Sequence, residues 1–339
     1  MKFFIAQLNP IVGDLDGNAK KILHVAGKAY SNSAEMVLTP ELSLWGYPAK
    51  DLLLKKNLVE SQYTILDQLS KSINKKYGNL SITIGIAEKI DDTFFPNLYN
   101  SVVLIEGGEW KTIARKIILP TYEVFDEKRY FRSEKGVSVI SKTIKNKTYK
   151  IGITICEDLW VNENIEGRGI HKKNPIIDLK SQKIDLLLNL SASPYTFKKF
   201  KLRNKIASFA AKYLQVPLIY INQVGANDDL IFDGNSFIIN KNGSKIKQLK
   251  SFSEDTASWD INENSNLVVE NKSSEISSVF DALVLGVKDY ARKCGFKSAL
   301  IGLSGGIDSA LVSVIATAAL GSENIFCVSM PSKWSSEHS

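Results

Sequence analysis

Short apolar runs alternate with longer segments of helical period along most of this chain. Residues 3–8, 36–39, 82–87, 101–106, 112–116, 137–141, 150–155, 186–190, 218–222 and 236–239 read as strands. Residues 18–30, 56–77 and 198–213 read as helices; in the second, Leu58, Ile65, Leu66, Leu69 and Ile73 fall at helical spacing. Turns are expected at Gly107-Gly108 and Asn242-Gly243. Many buried strands separated by amphipathic helices predict an α/β fold with helices on the sheet faces.

Residues 250–275 break the pattern. They are rich in Ser, Asn and Glu, poorly periodic, and read as a linker or docking strap, with 261–275 the linker proper. Beyond it, Ile276, Val279, Phe280, Leu283, Val287 and Tyr290 recur at helical spacing. A strand over 299–303, a Gly loop, a small-residue helix and a strand over 325–330 follow. The division expected is 1–260, a linker at 261–275, and the start of a second α/β unit at 276–339. One β–α–β unit cannot bury both faces of a parallel sheet. Ser339 is therefore read as a truncation point, just where another helix is expected.

Composition limits the partners. Of 339 residues, 44% are hydrophobic and 23% charged, which excludes a disordered chain or a fibre. The net charge of +7 comes from lysines scattered among acids and apolar residues, so no nucleic acid is expected as a partner. The densest stretch, 142–150, reads as an exposed hairpin. Cys156, Cys294 and Cys327 form no CxxC or Cys/His cluster, which argues against structural zinc and for a reducing compartment. The opening apolar run is too short for a signal peptide. Residues 310–320, the longest weakly polar run, fall short of the ~20 needed to span a bilayer. A cytoplasmic protein with no membrane partner is expected.

Three ionisable residues stand just after strands: Glu41 in VLTPE, Lys116 in TIARK and Cys156 in GITIC. In α/β layers the carboxyl ends of strands converge on one rim, where sites form. A thiol becomes nucleophilic on losing its proton, and Lys116 could favour that loss. Glu41 could take the proton and return it to departing ammonia, and Lys116 with a backbone N–H could hold an oxyanion. His24, His171 and His338 lie in a helix, a polar loop and the last three residues, away from these strand ends. A small core residue is the alternative for Cys156.

The segments PELSLWGYP, RKIILPTYEVFDEKRYF, ITICEDLW and NLSASPYTFKK closely resemble the nitrilase, or carbon–nitrogen hydrolase, superfamily. With FFIAQLNPIVGD and NQVGANDDLIFDGNS they cover residues 1 to about 260. The resemblance implies an αββα sandwich and a Glu–Lys–Cys triad on Glu41, Lys116 and Cys156. Within the superfamily the match is greatest to the glutaminase domains of glutamine-dependent NAD synthetases. That implies Tyr122, Ser193 and Lys199 at the glutamine and Glu127 as the acid that positions Lys116. Read from the residues alone, Lys199 suits a substrate carboxylate or is one of a solvated basic run with Lys198 and Lys201.

IGLSGGIDS places two glycines between a strand and a helix, so backbone N–H groups and the helix N-terminus can meet an anion. It is not a P-loop, because Asp308 stands where Lys would. SGGIDS resembles the PP-loop of N-type ATP pyrophosphatases, a Rossmann-like fold. The resemblance implies ATP as substrate, held by Gly302, Leu303, Ser304, Gly305, Gly306, Ile307, Asp308 and Ser309, with Asp308 as a Mg²⁺ ligand. The end, CVSMPSKWSSEHS, is similar too, with Trp334 in place of a tyrosine.

Together the resemblances imply glutamine hydrolysis that supplies ammonia to amidate ATP-adenylated deamido-NAD, giving NAD, AMP and pyrophosphate in a homo-oligomer. The chain as it stands is expected to hydrolyse glutamine at most. The alternatives are a stand-alone amidase with a vestigial PP-loop tail, a PP-loop enzyme acting on tRNA, and a non-catalytic binding module.

Overall fold

The computed structural model describes residues 1–92, 94–160, 173–263 and 274–330. In chain order these form β1 (Lys2–Gln7), α1 (Leu15–Ser31), β2 (Met36–Leu38), α2 (Lys56–Tyr77), β3 (Ser81–Lys89), β4 (Leu98–Glu106), β5 (Glu109–Arg115), β6 (Ser138–Ile144) and β7 (Lys147–Ile155). Then come α3 (Pro175–Ser181), β8 (Leu186–Ser191), α4 (Lys199–Leu214), β9 (Leu218–Asn222), β10 (Val224–Asn227), β11 (Leu230–Asp233), β12 (Phe237–Ile239), β13 (Lys245–Gln248) and β14 (Asp255–Asp260). The last elements are α5 (Glu275–Cys294), β15 (Ala299–Leu303), α6 (Ile307–Leu320) and β16 (Ile325–Ser329).

Two six-stranded sheets carry the fold, in the orders β14-β1-β2-β3-β4-β5 and β13-β12-β9-β8-β7-β6. Their side chains sort by the two-residue pleat. Phe3 and Ile5 of β1, Met36 and Leu38 of β2, and Leu186, Leu188 and Leu190 of β8 fill the layer between the sheets. The alternate residues Phe4 and Ala6 face the layer of α1 and α2, while Leu187 faces that of α3 and α4. Strands apolar on both faces are covered on both, and the result is the αββα sandwich. The helix ends are set locally. The Asp14 carboxylate accepts from Gly17 N at the start of α1, and α2 stops at Gly78, whose φ of +56° suits glycine.

Parallel pairing runs β1–β2–β3 and β7–β8–β9, while β4 and β5 return antiparallel to β3 and to each other. β2 and β5 therefore end on the same side of their sheet, as β7 and β8 do on theirs. Those ends hold the chemistry.

Three features depart from the sequence reading. Residues 255–260, expected within a polar strap, form β14, which pairs antiparallel with β1 along its whole length. An edge strand is held by backbone bonds and needs few apolar side chains; here Trp259 alone is buried, stacked on Phe3. Lys142, expected on an exposed hairpin, is buried and bonds Ser81 and Glu106. The hairpin β10–β11 and helix α3 carried too little periodicity to be anticipated.

After residue 274, α5 packs on β10 and β11, and β15 and β16 pair in parallel around α6. Leu300, Ile307 and Phe326 there are 73%, 79% and 58% exposed. Residues 331–339, with Trp334 and the expected further helix, lie outside the described residues, as does His171.

Candidate active site

Lys116 and Cys156 directly follow β5 and β7, Glu41 comes three residues after β2, and the three meet on one rim. The turn after β2 lays residues 41–42 against β3, where a Cβ on Gly85 would fall 2.1 Å from Leu42 N. Only glycine allows that approach. Glu41 is wholly buried. Its Oε1 accepts from Lys116 Nζ at 2.7 Å and Asn100 Nδ2 at 2.8 Å, and its Oε2 from Ala192 N at 2.8 Å. Lys116 Nζ also donates to Glu127 Oε1 at 2.6 Å, which in turn accepts from the Tyr47 hydroxyl at 2.8 Å.

Cys156 opens a single 3-10 turn, Cys156–Leu159, with φ of +45°. A non-glycine residue held there stores on the order of 1–3 kcal/mol, a cost usual at functional positions. Asp158, two residues on, binds both sheets together. Its Oδ1 accepts from Ile117 N and Ile118 N at 3.0 and 2.7 Å, and its Oδ2 from Ile155 N at 3.0 Å. The end of β5, with Lys116, is thereby fixed against the end of β7, with Cys156.

The Lys116 ammonium does favour the thiolate of Cys156, but burial and then the Glu41 charge outweigh it and push the thiol well above its usual range. Burial alone would depress Lys116, but Glu127 and Glu41 outweigh it and hold the ammonium well above its ordinary value. Glu127 is pushed up to about 7 by burial, against the pull of Lys116 and with the repulsion of Glu41. Burial also lifts Asp158 to about 7, against its three backbone donors.

Around this centre, the Tyr122 hydroxyl donates to Glu157, 2.9 Å from both carboxylate oxygens, and its ring packs edge-on against Phe125 at 5.4 Å. Lys199 is buried at the start of α4 rather than solvated. Its Nζ lies 5.8 Å from the Trp160 ring and 6.0 Å from that of Phe125, within cation–π reach. Ser193 is buried past β8, its N–H on Asn222 Oδ1 at 2.8 Å. The sequence reading did not single out Glu157, Asp158, Asn100, Tyr47, Phe125 or Trp160. For the first two the signal was present: a pair of acids immediately after the candidate nucleophile. His24 is exposed on α1, away from the rim.

The SGGIDS loop forms the expected strand-to-helix turn. Gly302 and Leu303 end β15, Gly305 takes φ of +79°, Gly306 caps α6, and Ile307, Asp308 and Ser309 make its first turn. Ser304 N and Gly306 N face the hydroxyls of Ser309 and Ser304 at 3.3 and 3.4 Å, long bonds that an anion could replace. Among the described residues, no group of three His, Cys, Asp or Glu side chains is placed to hold a metal, so Asp308 offers a single carboxylate.

The carbon-nitrogen hydrolase family model matches residues 5–266. The chain belongs to the carbon-nitrogen hydrolase family. Residues 279–339 of the chain match the NAD synthase family model. A glutamine-dependent NAD(+) synthetase of Synechocystis is 45% identical over 99% of the chain and 60% of its own length. A structure of glutamine-dependent NAD+ synthetase from Acinetobacter baumannii, in complex with ADP, aligns over 99% of the chain and 60% of its own, with TM-score 0.86 and 34% identity. An amidase from Nesterenkonia, at TM-score 0.61 and 18% identity over 76% of this chain and 89% of its own, shares the fold. The chain thus spans about 60% of the length of the synthetases it matches.

Proposed function

We propose that this chain carries the glutamine-hydrolysing half, and the start of the ATP-using half, of a glutamine-dependent NAD(+) synthetase. The reading rests above all on the Glu41 carboxylate, held by Lys116, Asn100 and the Ala192 N–H on the rim that carries Cys156. Two family matches lie along one chain, 5–266 and 279–339, and on this reading they pair an ammonia source with an ammonia-using ligase.

Cys156 is the nucleophile. Because burial keeps the thiol protonated at rest, its proton passes to Glu41 as Sγ attacks the glutamine amide carbon. The Lys116 ammonium, with a backbone N–H, holds the oxyanion. As the tetrahedral intermediate collapses, Glu41 returns the proton and ammonia leaves, with the glutamyl group as a Cys156 thioester. Glu41 then takes a proton from water, which attacks the thioester, and glutamate departs with the thiol restored. Glu127 positions Lys116. Lys199 binds the substrate carboxylate, and Ser193 and Tyr122 line the pocket.

Gly302 to Ser309 hold ATP. The nicotinate carboxylate of deamido-NAD attacks the α-phosphorus, pyrophosphate leaves, and ammonia displaces AMP. One carboxylate, Asp308, fits Mg²⁺, a cation usually bound through one or two carboxylates and substrate phosphates. Bound there, it would neutralise charge on the leaving pyrophosphate. Among the described residues no helix is long and apolar enough to cross a membrane. A free nucleophilic thiol suits the reducing cytoplasm, and a homo-oligomer is the assembly proposed.

The test is carried out on the protein with its synthetase segment complete. Cys156→Ala should abolish NAD formation from glutamine yet keep it from ammonium, with pyrophosphate released. Loss of both activities sinks the two-site reading, and glutamine hydrolysis by Cys156→Ala sinks the thioester.

A further inference from the structure

Helix α5 runs into the segment matched by the NAD synthase family, yet two of its charged side chains are bonded to the hydrolase domain, Asp289 buried and Lys293 nearly so. Asp289 and Lys293, one turn apart, bracket a single residue of strand β10. Asp289 Oδ2 accepts from Ala226 N at 2.8 Å, and Lys293 Nζ donates to Ala226 O at 2.8 Å. The ion pair stands where a neighbouring strand would, because the Ala226 amide groups point away from β11. Asp289 Oδ2 also accepts from Asn9 Nδ2 at 2.7 Å, and Lys293 Nζ reaches Pro10 O at 3.2 Å. Burying two charges is costly unless they are paired and their hydrogen bonds made. Burial lowers Lys293 to about 8 even with Asp289 opposing it. The helix could have met this hairpin with apolar side chains, so the buried pair calls for a use.

The bonds continue inward. Lys293 Nζ donates to Asn227 Oδ1 at 2.9 Å, and Asn227 Nδ2 donates to the Tyr47 carbonyl at 3.1 Å. Gln223 clasps the same peptide, accepting from Tyr47 N at 3.2 Å and donating to Tyr47 O at 3.1 Å. The Tyr47 hydroxyl then holds Glu127, and Glu127 holds Lys116.

We propose that Asp289 and Lys293 of α5 are positioning residues for the glutaminase centre, acting through Asn227 and Tyr47 on Glu127 and Lys116. The proposal rests on the reading of Cys156, Lys116 and Glu41 as that centre. By this route the first helix of the ligase segment completes the support of the hydrolase site.

The experiment measures glutamine hydrolysis by the protein with its synthetase segment complete. Lys293→Met keeps the aliphatic stem against the hairpin and removes the donors; Asn227→Ala breaks the same path without touching α5. Each should lower kcat about tenfold, the loss of roughly one hydrogen bond's worth of positioning, with KM within about twofold. The exposed Lys288→Ala on the same helix should change neither. Tyr47→Phe should lower kcat similarly, and adding Lys293→Met to it should cost no more than about twofold further, because the two act on one path. Unchanged kcat in both Lys293→Met and Asn227→Ala overturns the proposal, and so do losses that multiply in the double variant. Thermal midpoints identify any variant that fails to fold, and then the other variant decides. Glutamine hydrolysis that survives Cys156→Ala brings down the glutaminase reading itself, and the positioning proposal with it.

Discussion

Lys116 Nζ stands 2.7 Å from Glu41 Oε1, and neither side chain reaches solvent. Glu127 Oε1 accepts from the same ammonium at 2.6 Å. On the proposed mechanism the pair divides its work, Glu41 moving protons and Lys116 holding charge.

Glu41→Gln should therefore fold and fail to turn over. The amide can still accept from Asn100 and Lys116, but it cannot take a thiol proton. Turnover of glutamine should fall by about 10²–10⁴, the usual worth of a positioned base, and the thermal midpoint should drop as well, because the amide Nε2 then faces the buried Ala192 N–H. Steady-state kinetics beside a melting curve checks both halves.

Cys156 should behave as a thiol, not a thiolate. Burial and Glu41 raise it, so alkylation by iodoacetamide should be slow at pH 7 and keep rising above pH ~8.5, where an ordinary cysteine ionises. The linkage has a definite sign. The folded chain keeps this proton while the unfolded chain loses it, so the stabilisation is fully present below ~8.5 and is lost as pH rises through the folded value. A plateau of fast alkylation from pH 6 upward would contradict this.

Asp158→Asn should damage both stability and rate. Its Oδ2 accepts from Ile155 N, and an amide turned to keep Ile117 and Ile118 presents N–H to N–H there. A buried donor left unpaired costs about 1–3 kcal/mol, to be measured by chemical denaturation. Turnover should fall as well, since the bond also fixes the segment after Lys116. A drop in stability with full activity would separate the two roles.

Gly85→Ala tests the close approach behind Glu41. The new methyl would meet backbone, Leu42 N at 2.1 Å and Glu41 C at 2.8 Å, which cannot swing aside. The expected result is a chain that loses its glutaminase activity and melts well below the parent, by calorimetry. Ala at Gly136, where a Cβ meets nothing within 4 Å, is the control.

Much of the fold was legible because most of its central strands are buried on both faces and its helices on one. Glu41, Lys116 and Cys156 could be singled out because each stands at or just past a strand end, although β5, before Lys116, is half exposed. The Lys116–Glu127 contact was anticipated through the family resemblance, but not Tyr47, 80 positions from Glu127, or Asn100, 59 from Glu41, because distance along the chain carries no sign of such contacts. Residues 255–260 were missed for a different reason: an edge strand is written in backbone bonds, which every sequence can make. Lys142 misled because its charge suggested solvent, where the fold had supplied Ser81 and Glu106.

Glu41 and Lys116 hang from one sheet, and Cys156 and Ala192 from the other. The reactive constellation thus does not exist on either sheet alone. While the chain emerges during synthesis, or after partial unfolding, the thiol is an ordinary cysteine with no base beside it. On the proposed reading, activity begins only when the two sheets dock, and glutamine turnover would then gauge how many molecules have closed.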